Sequence, residues 1–370
     1  MLSSPFLALD GAVDLDSVGT ASHYGNPFAE QRALVERNAI VDLSDRSVLE
    51  ITGVDRLTWL HSLTSQSLNG LESGESAETL LLDASGRVEH VLRVVDDGAS
   101  LWVLLDRDEG AGLLAWLDSM RFLLRVEIAD RSDQFATVGS LGTPKLPIAT
   151  PHGVPITWKD SWSGVATGGY QYALGEHPGG MWSWSESLVA REQLPALVAR
   201  VRDGELPVAG RLAVDAIRIA AWRPWFSSEI DERSIPHETD WLRTAVHLNK
   251  GCYRGQETVA KVHNLGHPPR RLVLLHLDGS DNIRPERGAS VLAEGETVGT
   301  ITSFGEHYEL GPIALAVLKR STDPSVTLTV DATNGSLAAS QQIIVPPDAG
   351  AVANVPRLPR VGATPRPGRS

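Results

Sequence analysis

A chain of 370 residues with a single cysteine cannot be stapled by disulfides. Nor can it build a cysteine-rich zinc site or an iron–sulfur cluster from its own ligands. Its fold must rest on apolar cores. A content of 42% hydrophobic residues over this length is enough for two or three domains. Nothing points to an oxidising compartment. Met1 to Asp10 has no basic segment of the signal-peptide kind. No window approaches the ~18 apolar residues of a membrane span. The cytoplasm is the expected location. A net charge of -13 argues against general nucleic-acid binding. The balance is locally reversed between Arg211 and Arg271, where ten Lys/Arg face seven acids. That suits a small anionic ligand better than a polymer.

The cysteine, Cys252, lies in the run Lys250-Gly251-Cys252-Tyr253-Arg254-Gly255-Gln256-Glu257. Glycines permit close backbone approach, Gly255 among them. Lys250 or Arg254 can act as counter-cation to a thiolate, the reactive form of sulfur. Gln256 to Val262 reads as helix, which sets the thiol near a helix N-terminus. Gln256 and Glu257 can hydrogen-bond backbone or ligand, and Glu257 can cap that helix. The alternative is that Cys252 is a small buried hydrophobe. His263 and His267 are four apart, but Gly266, Pro268 and Pro269 break the helix that would align them. No metal site is expected.

Along the chain, residues 48 to 53 read as a strand and Asp55 as the cap of a helix carrying Leu57, Leu60 and Leu63. Leu80 to Asp83 and Val88 to Val95 read as a hairpin turning near Ser85-Gly86, with a further strand at 100 to 105. Leu113, Leu117, Met120 and Leu124 share a helical face. This order gives an α+β layer. Residues 141 to 187 read as short strands and loops, with Trp158, Trp162, Trp182 and Trp184 as packing residues. A helix is expected from about Ser187 to Gly204 and another over Leu212 to Ala221. Short β-rich stretches from Leu272 to Val330 suggest a small barrel or sandwich. From Pro346 the chain is Pro/Gly/Ala/Arg-rich and is expected to be disordered.

The octapeptide resembles the signature of the YgfZ family, folate-binding proteins related to GcvT, the aminomethyltransferase (T-protein) of the glycine cleavage system. His23-Tyr24-Gly25-Asn26-Pro27, Val41 to Ser44, Leu49 to Asp55, Ala216-Ile217-Arg218 and Ser234-Ile235-Pro236 agree with the same family. The resemblance implies a three-lobed ring with mixed and antiparallel sheets and a folate site at its centre. It implies a folate-binding region over 1–265, made of two interleaved α+β lobes, then a β-barrel over 266–346, with the tail at 347–370. It implies a tetrahydrofolate cofactor and a role in iron–sulfur cluster assembly or repair, with iron–sulfur enzymes as clients. The alternative is a tetrahydrofolate-dependent aminomethyl- or methyltransferase of the T-protein type. The transferase's paired aspartates after the hairpin are absent, and Glu89 keeps one carboxylate. Ala220 stands where the transferase has a folate-binding glutamate.

The expected reactive residues are Cys252, Lys250 and Glu257. A folate needs apolar or aromatic walls, a few fixed polar groups and a cation. Arg218, Tyr253, Arg254, Gly255, Gln256 and Glu89 are the expected binding residues. Arg218 is the candidate for the folate's anionic tail or a polar edge, the alternative being a surface salt bridge. Trp222, Trp225 and Trp241 are further candidate walls.

Overall fold

The computed structural model describes residues 3–36, 39–280 and 283–353. It has two five-stranded sheets and a closed barrel. The first sheet contains β1 (Ile40–Leu43), β7 (Phe135–Ser140), β8 (Thr157–Lys159), β9 (Ser185–Ala190) and β10 (Val208–Ala209), in the order β10-β1-β7-β9-β8. All its pairs are antiparallel except β1 with β10. The second contains β2 (Ser47–Thr52), β3 (Ser76–Leu82), β4 (Val88–Asp96), β5 (Ser100–Leu105) and β6 (Glu127–Asp130), in the order β3-β4-β5-β2-β6. The second sheet's strands thus lie in the chain between β1 and β7. The barrel closes in the order β11-β14-β13-β12-β15-β16. Its strands are β11 (Arg270–Leu277), β12 (Ser290–Ala293), β13 (Glu296–His307), β14 (Gly311–Lys319), β15 (Leu328–Ala332) and β16 (Gly335–Ile343).

Side-chain alternation distributes these strands among separate cores. On the second sheet, Leu80, Leu82, Val91, Val95, Trp102 and Leu104 face the central core. Leu81, Leu92, Val94, Leu101, Val103 and Leu105 face the opposite way, under α2 (Arg56–Leu63) and α3 (Gly110–Ser119). Burial on both faces explains why β5 is a continuous apolar run. The barrel repeats the device. Val273, Leu275, Ala314 and Ala316 fill its interior. Leu272, Leu274, Ile313 and Leu315 leave its wall to join the central core.

The helices α1 (Pro27–Val35), α4 (Leu194–Arg202), α5 (Arg211–Ala220), α6 (Phe226–Glu229) and α7 (Gln256–Leu265) complete the fold. Helix α5 lies directly on the barrel at Gly305, where a Cβ would come within 2.9 Å of Ala216 Cα. The four expected packing tryptophans are all buried, and each indole N–H is satisfied. No helix among the described residues is long and apolar enough to cross a membrane.

Three expectations change. Residues 187 to 190 belong to strand β9, and the helix starts only at Leu194, with Pro195 in its first turn. The helix on Leu113 ends at Ser119, short of Leu124. The tail is docked as far as Ala353: the amides of Val352 and Ala353 donate to the carbonyls of His263 and Asn264. Residues 354–370 lie outside the described residues.

Candidate functional site

The octapeptide is laid across two neighbours, and each contact follows from its residue types. Lys250 is buried, and its Nζ donates to the carbonyls of His61, Thr64 (2.6 Å) and Gln66 (2.9 Å). These belong to the last turn of α2 and the chain just past it, where helix carbonyls lack partners and favour a cation. The Tyr253 ring covers the same ammonium at 5.1 Å. Burial lowers the Lys250 pKa to about 8 and pushes the Tyr253 phenol up. Lys250 is therefore committed to backbone carbonyls and an aromatic face. It is not the free counter-cation expected for Cys252, and its role is positional. Gln256 reinforces the loop by donating to the Lys250 carbonyl at 3.2 Å.

Gly255 adopts φ +82°, in the left-handed region, and is the N-cap of α7. A Cβ there would meet the Asp83 carbonyl at 2.6 Å. Across the contact Gly86, at φ +79°, would meet Thr258 at 2.9 Å if it carried a Cβ. The hairpin turn and the helix start thus interlock through two residues without side chains. No side chain caps α7, so Glu257 does not close the helix as expected. It is exposed in the first turn. Cys252 is exposed, three residues before the N-cap.

This docking brings Glu89, at the start of β4, to Arg254. Their ion pair is 2.7 Å long, with both side chains more than a third exposed. Such a pair adds at most about 1 kcal/mol to stability. The Arg254 guanidinium also lies 5.9 Å from the Trp116 ring centroid. Glu89 and Trp116 line an open groove of about 640 Å³ together with Asp83, Arg87, His90 and Phe226. His90 stacks on Phe226 at 6.3 Å and bonds Glu109 at 2.9 Å. Arg87 reaches the groove with an exposed side chain.

Arg218 lies elsewhere. It is buried between α5, α6 and the barrel, and its five donors are taken by Asp215 (2.7 Å), the Arg223 carbonyl, Glu229 (3.2 Å), Ser228 and Ser303 (2.7 Å). Trp225 stacks on it at 4.6 Å. With no N–H left over, Arg218 is a structural joint and not the expected contact for a folate tail. Trp241 is likewise committed, donating to Glu78 at 3.2 Å. Trp222 is buried at φ +59° against the His177 ring.

Sequence reasoning missed the polar centre of the molecule. Arg93 bonds Asp106 at 2.9 Å, and Arg223 bonds Glu78 at 2.5 Å and Asp160 at 2.8 Å. Arg46 pairs with Glu186. All seven are buried. Trp158, Trp162 and Trp225 lie against these guanidiniums. The resemblance implies folate at the centre of the ring, and here the junction between the sheets holds these packed ion pairs. The available signal was a charge inside an apolar strand, as Arg93 is within Val91 to Val95. His263 and His267 do not converge: one bonds Tyr172 and the other the Ala349 carbonyl. Among the described residues no group of three potential metal ligands forms.

Comparison with known proteins places the fold. Residues 270–344 match the glycine cleavage T-protein C-terminal barrel domain. An aminomethyltransferase of Synechococcus sp. (strain WH7803) is 27% identical over 74% of this chain and 77% of its own length. One from Rubrobacter xylanophilus is 26% identical over 81% of each. A protein of Arabidopsis thaliana named as a chloroplastic transferase is 25% identical over 74% of this chain, which spans 65% of that relative's length. The crystal structure of the glycine cleavage aminomethyltransferase T from Bartonella henselae superposes with a TM-score of 0.70. It is 15% identical and covers 93% of this chain and 94% of that one. In its barrel and in its whole fold, the chain is GcvT-like.

Proposed function

We propose that this chain is a tetrahydrofolate-binding protein that handles a one-carbon unit in the manner of an aminomethyl- or methyltransferase. The observation that carries the reading is the Glu89–Arg254 pair at a groove walled by Trp116 and Phe226. The groove fits the chemistry of the group. Aromatic faces suit a flat pterin and its aromatic linker. A carboxylate suits the N–H edge of the pterin, and exposed guanidiniums suit a carboxylate tail. Trp116 and Phe226 would hold the rings, Glu89 the polar edge, and Arg87 or Arg254 the tail. When bound, tetrahydrofolate supplies the carrier for the one-carbon unit. Aminomethyltransferase relatives and fold support the same reading.

Fluorescence titration with tetrahydrofolate tests it. Glu89→Gln and Trp116→Ala are expected to weaken binding about tenfold, the loss of one charge-assisted hydrogen bond or one aromatic wall. Unchanged affinity in both variants would remove folate from this groove. Formation of methylenetetrahydrofolate from an aminomethyl donor tests the transferase step.

A second reading, support of iron–sulfur enzymes with a folate, is favoured by the exposed lone thiol in the YgfZ-like octapeptide. It fits a reducing compartment such as the cytoplasm. Under this reading Cys252→Ser abolishes rescue of iron–sulfur enzyme activity in a deletion strain while folate binding persists. Full rescue by the serine variant would end it.

A further inference from the structure

The connection from β7 to β8 spans residues 141–156 and flanks a cleft of about 610 Å³ on one face of the first sheet. Strand register composes the floor. Ser140 lies opposite Ser185, which lies opposite Lys159; one row on, Ser187 lies opposite Thr157. Directly opposed residues share a face, and all five line the cleft. The hydroxyls pair with one another, Ser140 with Ser185 at 3.2 Å and Thr157 with Ser187 at 2.9 Å. Ser140 also donates to the Gly142 carbonyl at 3.0 Å. A hydroxyl whose proton is committed still accepts through its lone pairs. The floor is therefore rich in acceptors.

One cation stands at its edge. Lys159 is exposed and forms no ion pair among the described residues. The adjacent Asp160 also lines the cleft but makes no ion pair with Lys159. That carboxylate is buried and held by Arg223 and by the Trp182 indole, each at 2.8 Å. The connecting segment supplies the other wall, with Leu146, Ile148 and Val154. The cleft shares no lining residue with the groove at Glu89.

We propose that this cleft binds a hydroxylated small-molecule anion of sugar size, a sugar phosphate or a sugar acid. Ligand hydroxyls donate to the serine–threonine floor, the C–H face packs on Leu146, Ile148 and Val154, and the oxyanion meets Lys159. The proposal is independent of the folate reading.

Calorimetric titration of the full chain with glucose 6-phosphate, gluconate and glucose tests it. Saturable binding of at least one anion is expected, with glucose weaker. Lys159→Gln is expected to lower affinity for the anion about 10-fold or more, the range of one charge-assisted contact. Thr157→Val should lower affinity for the same anion. Lys159 is exposed, so its variant should keep the wild-type melting temperature. Preference for phosphate or for carboxylate identifies the oxyanion and supports the site in either case. The proposal is overturned if neither anion saturates below about 10 mM, where binding is worth under roughly 3 kcal/mol. Equal binding of glucose, or of the anion by Lys159→Gln, overturns it as well.

Discussion

A guanidinium has five N–H donors, and Arg218 commits each of them inside the protein. Its removal leaves Glu229, buried and also bonded to Ser303, without its cation. Arg218→Met should cost about 3–5 kcal/mol, the range for breaking a buried pair from one side. Urea unfolding of the variant measures it, and a loss below 1 kcal/mol would contradict the joint. Lys250 makes a parallel case on a smaller scale. Lys250→Met frees three carbonyls around the end of α2, and the expected loss is about 1–3 kcal/mol. Amide exchange should quicken at 251–256 and not in the barrel. The octapeptide was legible in the sequence because its composition is unusual. Its partners were not, because the Arg254–Glu89 contact joins residues 165 apart and Lys250 reaches a carbonyl 189 residues away. A residue's role is set by what the fold brings to it, so Lys250, whose place beside Cys252 suggests a counter-cation, is held by backbone carbonyls as an anchor.

Elements meet where side chains are missing. Gly255→Ala places a Cβ against the Asp83 carbonyl and forces a left-handed φ on alanine. The expected loss is about 1–3 kcal/mol, with weaker folate binding as the hairpin parts from α7. A variant matching the wild type in both melting temperature and titration would show that the interlock is dispensable. Most strands and helices were readable from periodicity, including β5 and the hairpin. The failures have local causes. In β9, Ser185 to Ala190 runs into the helical spacing of Leu197, Val198 and Val201, and only Pro195 near the start of α4 marks the change. Strand β16 went unread because its inward positions, Leu337 and Ala339, stand among Gly, Ser and Gln.

The whole molecule should respond to pH through carboxyls sealed in its core. Burial raises the Asp240 pKa to about 7 and that of Asp42 to about 6, from 3.8. A carboxyl raised in the folded state holds a proton that the unfolded chain has released. Its stabilising share is present below pH 3.8 and is lost as pH rises through the folded value. Buried His237, lowered to about 4, acts in the opposite sense between about 4 and 6.5. A single substitution isolates one slope from the other. Asp240→Asn should melt higher than the wild type by a few degrees at pH 8, with the advantage shrinking at pH 5; in domains of 150–250 residues about 1 kcal/mol shifts Tm by roughly 2–4 °C. A constant difference across that range would contradict the assignment.

The joint at Arg218 reaches into the barrel through Ser303 on β13. Grafting a relative's barrel onto this chain would therefore transplant one end of a hydrogen-bonded bridge. Unless the incoming strand offers a hydroxyl at that register, the chimaera would inherit a seam whose charges no longer close.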